Sequence, residues 1–379
     1  MKTSKSFEGR NVVGNVTRWI ASRITFRTWS GVCATIWLAV ATAAHAQTAA
    51  PPHLQSRFGS LPGNIFSPAS TPAQITYSVS LFVFGIVGVI FVVVAGVLLY
   101  VIVRYRQRPG EELAEPPQVY GSHQIELSWT VIPVLIVVVL FLVTARVIFG
   151  IQNAPRPADA MDVTVVGHQF WWEFRYPKLG IVTANELHIP VSNPKAPLPT
   201  YLTLLSADVD HSFWVPRLAG KTDLIPNHVN QMWVDPTTPG VYLGQCGQYC
   251  GTEHAKMLLR VYVDTPQDFA AWVRQQQQPV ASLPHNNAEV EAGQQVFATN
   301  ACVNCHTVAG TSAHGRFGPD LTHLMSRQTI AAGAAENTAA NLRAWIQDPD
   351  TFKRGSRMPA MKLTDLQLDQ ITAYLSTLH

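Results

Sequence analysis

A membrane-anchored multidomain chain is the architecture this sequence predicts: a hairpin of two transmembrane helices, then an all-β domain, then an all-α domain. Three observations carry it. Of 379 residues, 13% are charged and 47% apolar, against about 25% charged in an ordinary soluble domain. Two stretches, 75–103 and 127–145, hold no Asp, Glu, Lys or Arg, enough in each case for a span of roughly 20 residues. The remainder changes periodicity once, from short β-type runs to helical spacing. A formal net charge of +3 is too small for a nucleic-acid footprint, so no nucleic-acid partner is expected.

Residues 1–46 order themselves as a secretory signal peptide: basic residues (Lys2, Lys5, Arg10, Arg18, Arg23, Arg27), an apolar run from Trp29, then Ala44-His45-Ala46. An uncleaved extra membrane helix is the other reading. Cleavage after Ala46 removes Cys33 and leaves 47–74 as an external N-terminal segment. The spans follow as 75–103 and 127–150, joined by a loop over 104–126 that opens with Arg104, Arg106 and Arg108. The positive-inside rule puts that loop in the cytoplasm. Parity then puts everything after residue 150 on the outer face, whichever reading of the first segment holds.

Residues 151–265 form the β domain. Runs at 162–166, 169–176, 201–206, 231–234, 241–245 and 258–263, separated by Pro, Gly and Asn turns, predict an antiparallel sandwich or barrel. Residues 266–286 read as a linker. Residues 287–379 are helical, and a capping box of Thr364 with Gln367 precedes an apolar stripe of Leu368, Ile371, Leu375 and Leu378.

Two constellations carry chemistry. The first is Cys246, Cys250, His254 and Met257 in CGQYCGTEHAKM, with His211 upstream in DVDHSFWVP. One thiolate, two imidazoles and a weak Met suit a single copper. A second thiolate lets two sulfurs bridge two soft copper ions, one His on each, with Met and a carbonyl as weak outer ligands. A Cys246–Cys250 disulfide is the alternative in an oxidising compartment; zinc is disfavoured because Met is a poor zinc ligand. The second constellation is Cys302-Val303-Asn304-Cys305-His306, the pattern of covalent haem c attachment, with a zinc knuckle as the alternative.

Over residues 75–265 the chain resembles subunit II of haem-copper cytochrome c oxidases, on QIELSWTVIP, GHQFWWEFRY, HSFWVPRLAGKTDLIP and PGVYLGQCGQYCG. The resemblance implies a cupredoxin-like domain with a dinuclear copper centre, CuA, on His211, Cys246, Cys250, His254 and Met257, plus the carbonyl of Gln248. It also implies that Glu126 helps admit protons to the catalytic subunit; a solvated interfacial Glu is the alternative. Two departures stand out. Phe170, followed by Trp171 and Trp172, occupies the place where the family usually has the Trp that receives electrons. Gln248 replaces a Glu whose side chain reaches magnesium. Electron-path candidates are therefore Phe170, Trp171 and Trp172, with packing as the plain alternative.

GRFGPDLTHL, NLRAWIQDP and RMPAM resemble c-type cytochromes. That implies haem c on Cys302, Cys305 and His306, with Met358 as the sixth ligand and Met325 and Met361 as competitors. Together the resemblances imply the electron-admitting subunit of a caa-type oxidase, passing electrons from an external donor (cytochrome c or another redox protein) through haem c and CuA to subunit I, coupled to proton translocation. The chain would sit in the cytoplasmic membrane of a bacterium as a two-pass protein, its outer domains periplasmic, beside subunit I and other oxidase subunits. No set of membrane-span histidines is present for oxygen-reducing haems, so no catalytic residue is expected here. A CuA-containing nitric oxide reductase or a copper-binding assembly module are the other readings. The quinol oxidase relatives are excluded, since they lack the copper ligands.

Overall fold

The computed structural model describes residues 64–107, 110, 118, 120–279 and 287–379. The expected signal peptide with Cys33, most of 47–74, part of the 104–126 loop and the end of the 266–286 linker lie outside the described residues.

Both apolar runs are helices, and both are longer than the runs. Helix α1 spans Thr71–Arg104 and α2 His123–Gln152. Pro72 presets the first turn of α1, and Arg104 favours its C-terminal end. No residue of α2 is buried, and Phe91, Leu99 and Phe141 stand exposed. Helices this long, apolar and uncovered are suited to a membrane span. The charge-free run opens at Leu127, which puts Pro133 in the first turns of a span read from the sequence. Pro133 lies in the helix interior, because α2 begins at His123 rather than 127; spanning helices tolerate such a break.

The outer ends of the hairpin are tied to the β domain. Ser70 Oγ accepts from the Asp235 amide at 2.9 Å, and Thr71 Oγ1 donates to Asp235 Oδ2 at 2.5 Å. Trp233 Nε1 donates to the Ile151 carbonyl at 2.8 Å. The start of α1 and the end of α2 thus meet one domain, as a two-span hairpin requires.

That domain is two five-stranded sheets. In the first, β3 (Ile181–Ala184), β2 (Trp171–Tyr176), β1 (Met161–His168), β5 (Thr200–Ser206) and β8 (Asn230–Val234) lie side by side. The second orders β4 (Glu186–Pro190), β10 (Leu258–Asp264), β9 (Gly240–Cys246), β6 (His211–Trp214) and β7 (Thr222–Leu224). The expected all-antiparallel pairing is corrected: β1 with β5 and β4 with β10 run parallel. Val163, Val165, Phe174, Leu204, Leu259 and Val261 fill the space between the sheets.

The expected linker begins as structure. Helix α3 (Pro266–Gln276) is capped by Thr265, whose side chain accepts from the Asp268 amide. Trp272 stacks on His188 at 4.5 Å, with Tyr262 stacked on the ring at 4.5 Å as well, so α3 packs back on the sheet.

Four helices build the last domain: α4 (Ala288–Thr299), α5 (Cys302–Cys305), α6 (Ala339–Gln347) and α7 (Asp365–Leu375). A short ribbon accompanies them, β11 (Thr329–Ile330) with β12 (Ala335–Glu336). The Thr364–Gln367 capping box starts α7, and Leu368, Ile371, Leu375 and Leu378 are all buried, as expected.

The helical domain is clamped to the β domain. Glu186, 2% exposed, accepts from the amides of Gln328 and Thr329 and from Thr329 Oγ1, the last at 2.7 Å. A buried carboxylate needs partners of this kind, and Arg260 adds a bond to Thr329 Oγ1 at 3.0 Å.

Candidate functional site

Strand pairing builds the first cluster. Phe213 of β6 lies opposite Cys246 of β9, so His211 at the start of β6 and Cys246 at the end of β9 come together. The loop after β9 folds back and brings Cys250, the turn His254–Lys256 and Met257 to the same place. The Sγ atoms of Cys246 and Cys250 are 3.8 Å apart, and both thiols are free. A disulfide needs about 2.05 Å, so the disulfide alternative is not what the structure holds. Cys246 Sγ lies 3.9 Å from His211 Nδ1 and donates to the Gln248 carbonyl at 3.1 Å. Cys250 Sγ lies 3.7 Å from His254 Nδ1 and 3.8 Å from Met257 Sδ. All six expected ligand positions converge.

The residues fit a soft metal. With metal–sulfur bonds of about 2.3 Å, sulfurs 3.8 Å apart can share an ion, and each has its own imidazole nitrogen. The His211 ring is oriented from behind: Nε2 pairs with Asp208 Oδ1 at 2.8 Å, leaving Nδ1 for the thiols, the usual support of a metal-bound imidazole. Gly167 leaves room for it, since a Cβ there would stand 2.8 Å from His211 Cδ2. The Cys250 thiol pulls the Cys246 thiol well below the ordinary cysteine range despite burial, and His211 adds to the pull. Burial lowers the His211 pKa, but Asp208 and Cys246 outweigh it and the net direction is upward. Protons and a soft cation therefore compete for this cluster.

The aromatic run divides by place. Trp172 is fully buried, its Nε1 3.4 Å from the Met257 carbonyl and its ring edge-on to His211 at 6.1 Å. Trp171 stacks on His168 at 4.2 Å and packs with Ala332 of the helical domain. Phe170 lies in the β-domain core.

In the helical domain, α5 presents Cys302 and Cys305, with His306 immediately after it. His306 Nδ1 sits 2.8 Å from the Pro319 carbonyl, which leaves Nε2 as the candidate ligand atom. Burial pushes this imidazole down, toward the neutral form that binds iron. Gly318 makes room for the ring: a Cβ would stand 2.5 Å from His306 Cε1. Met358 packs on the same cluster as Cys302, and so does Met325, while Met361 is half-buried further along the Met358 loop. Neither competitor gains an advantage. The donor set fits a covalently held haem.

Glu126 stands in the first turn of α2, 3.7 Å from His123. Gln248 is exposed beside the cluster. Sequence reasoning passed over Asp208, although an acid three residues before a ligand His is a readable sign. It also passed over Glu186, Gln169 and Arg357, whose partners lie in another domain.

A soft-metal cluster on a β sandwich, a haem-attachment motif on a helical domain and a membrane hairpin define a class: membrane-anchored electron-transfer proteins carrying two redox centres. Comparisons with known proteins narrow it. The family "Cytochrome C oxidase subunit II, transmembrane domain" matches residues 61–147, "Cytochrome C oxidase subunit II, periplasmic domain" matches 161–263, and "Cytochrome c" matches 290–379. The chain is 33% identical to cytochrome c oxidase subunit 2 of Alkalihalophilus pseudofirmus, covering 82% of this chain and 89% of that one. It is 35% identical to the Bacillus sp. strain PS3 protein of the same name, over 72% of this chain and 80% of that one. Among solved structures, the periplasmic domain of subunit II of cytochrome oxidase from Bradyrhizobium japonicum aligns at 26% identity and TM-score 0.30, covering 32% of this chain and 97% of that one.

The chain belongs to the cytochrome c oxidase subunit II family. It is a membrane-anchored subunit with periplasmic domains that works with subunit I, and its electron-transfer equipment is CuA together with covalently bound haem c.

Proposed function

We propose that this subunit takes electrons from an external donor at its helical domain, passes them to its β domain and delivers them to subunit I in the cytoplasmic membrane of a bacterium, in an oxidase that also translocates protons. The convergence of two free thiols, two imidazoles, a thioether and a carbonyl in one cluster carries this reading. When bound, CuA and haem c supply one-electron chemistry at separate sites. His211, Cys246, Cys250, His254, Met257 and the Gln248 carbonyl would hold the copper. Cys302 and Cys305 would hold the haem covalently, with His306 and Met358 available to its iron. His/Met ligation raises the haem potential, which suits acceptance from a donor of moderate potential. Asp208 fixes the His211 ring and keeps its ligand nitrogen aimed at the thiols. Glu126, in the first turn of α2 at its cytoplasmic end, helps admit protons toward subunit I. Cys250→Ser tests the copper assignment: the near-infrared band of the mixed-valence pair should vanish while the haem spectrum remains. A variant that keeps two delocalised coppers per chain contradicts it.

A further inference from the structure

We propose that Gln169 is the positioning residue that couples the two redox domains, its one amide joining Arg357 beside Met358 to Cys250. This rests on the reading above, that electrons pass from the helical to the β domain. The side chain is used at both ends. Its Oε1 accepts from Arg357, and its Nε2 donates to the Cys250 carbonyl at 2.6 Å. Its backbone amide donates to Asp208 Oδ2 at 2.7 Å, and Asp208 Oδ1 bonds His211 Nε2 at 2.8 Å. Gln169 therefore reaches the ligand-bearing residues of both sulfur and imidazole, starting from the neighbour of the expected haem ligand.

The local backbone is shaped for this contact. Gly251 has φ +131, and a Cβ there would stand 3.0 Å from Gln169 Nε2 and from the Phe170 ring. A side chain at 251 would push the amide off the Cys250 carbonyl. The two neighbouring tryptophans do not offer the same connection. Trp171 reaches Ala332 of the helical domain, while Trp172 lies wholly inside the β domain against Met257 and His211.

Docking is secured by other residues. Lys353 Nζ, from a side chain 3% exposed, donates to the Phe170 carbonyl at 2.8 Å. Lys256 Nζ donates to the Phe352 carbonyl at 2.7 Å, and the Glu186 clamp lies elsewhere on the interface. The segment that carries Arg357 and Met358 is thus held against the copper loop without Gln169. The amide makes and breaks no bond in the transfer. One electron is lost on the haem side, one is gained on the copper side, and Gln169 is unchanged.

The test uses the purified oxidase complex with the full chain. A light pulse with a photoreductant places one electron on the haem, and its departure is timed against bleaching of the copper band. Gln169→Glu keeps the acceptor for Arg357 and the backbone bond to Asp208 but loses the donor to Cys250. Gln169→Leu loses both side-chain bonds. Transfer should slow severalfold in Gln169→Glu and at least as much in Gln169→Leu. The copper and haem spectra and amide hydrogen exchange over residues 352–358 should be unchanged. An unchanged rate in both variants overturns the proposal. A slower rate that comes with faster exchange over 352–358 also overturns it, because Gln169 is then a docking clamp. If the unmodified complex passes no electron from haem to copper, the parent reading fails first and takes this one with it.

Discussion

Asp208 and Glu173 show how single carboxylates behind the clusters hold imidazoles in place. Glu173 lies 3.0 Å from His168 Nε2 and accepts from Arg175 Nε at 2.6 Å. His168 in turn stacks on Trp171, which packs on the helical domain. Burial raises the Glu173 pKa, but the hydrogen bonds from His168 and Arg175 outweigh it and bring it from 4.5 to about 2. The unfolded chain therefore takes up this proton before the folded one does, and stability falls as pH falls. The contribution of Glu173 is fully present above pH 4.5 and is lost as pH drops through about 2. Denaturant unfolding of the wild type and Glu173→Gln should show a stability gap that is constant near neutrality and closes across that window. A gap independent of pH contradicts the assignment.

Among the elements, α4 and α7 cross in close approach. A Cβ on Gly293 would stand 1.9 Å from the Gln370 carbonyl and 2.8 Å from Tyr374 Cβ. Because the first of these is backbone, no rotamer change relieves it, and the helices must separate. Gly293→Ala should destabilise the helical domain by about 1–3 kcal/mol, read as a lower midpoint of thermal unfolding followed by the haem spectrum; an unchanged midpoint contradicts the close approach. Nothing in the sequence marks Gly293 as a crossing point, since its partners Gln370 and Tyr374 lie about eighty residues on. Local signals served better. Charge-free length announced α1 and α2, and Thr364 with Gln367 announced the start of α7. The candidate ligands of both centres stand out because each motif packs most of its chemistry into a few residues. Strands β3, β4, β6 and β7 escaped notice because each is short and without clean alternation; β6 is His-Ser-Phe-Trp, three of whose residues are buried. The parallel pairs escaped too, since crossovers leave no periodic mark. Helix α3 hid within a Gln-rich stretch whose cap, Thr265 before Pro266, was the readable sign.

Taken as a whole molecule, the chain does more than tether one domain to another. A tether raises effective concentration, but Glu186, Lys353 and Lys256 set an orientation as well. The buried Glu186 carboxylate and Lys353 ammonium are costly to desolvate, and each is bonded across the interface, so the arrangement is specified rather than loosely collapsed. With the helical domain fixed on the loop of Cys246 and Cys250, and that loop's domain fixed to both outer ends of the membrane hairpin, the fold supports the proposed order of electron flow, haem before copper. Rapid mixing of the intact complex with less than one electron equivalent of a reduced donor, without oxygen, tests this order most directly. The haem c absorption should rise first, then decay at the rate at which the near-infrared copper band bleaches, before the haems of subunit I respond. Bleaching of the copper band ahead of the haem, or a haem that stays reduced while copper bleaches, would contradict it.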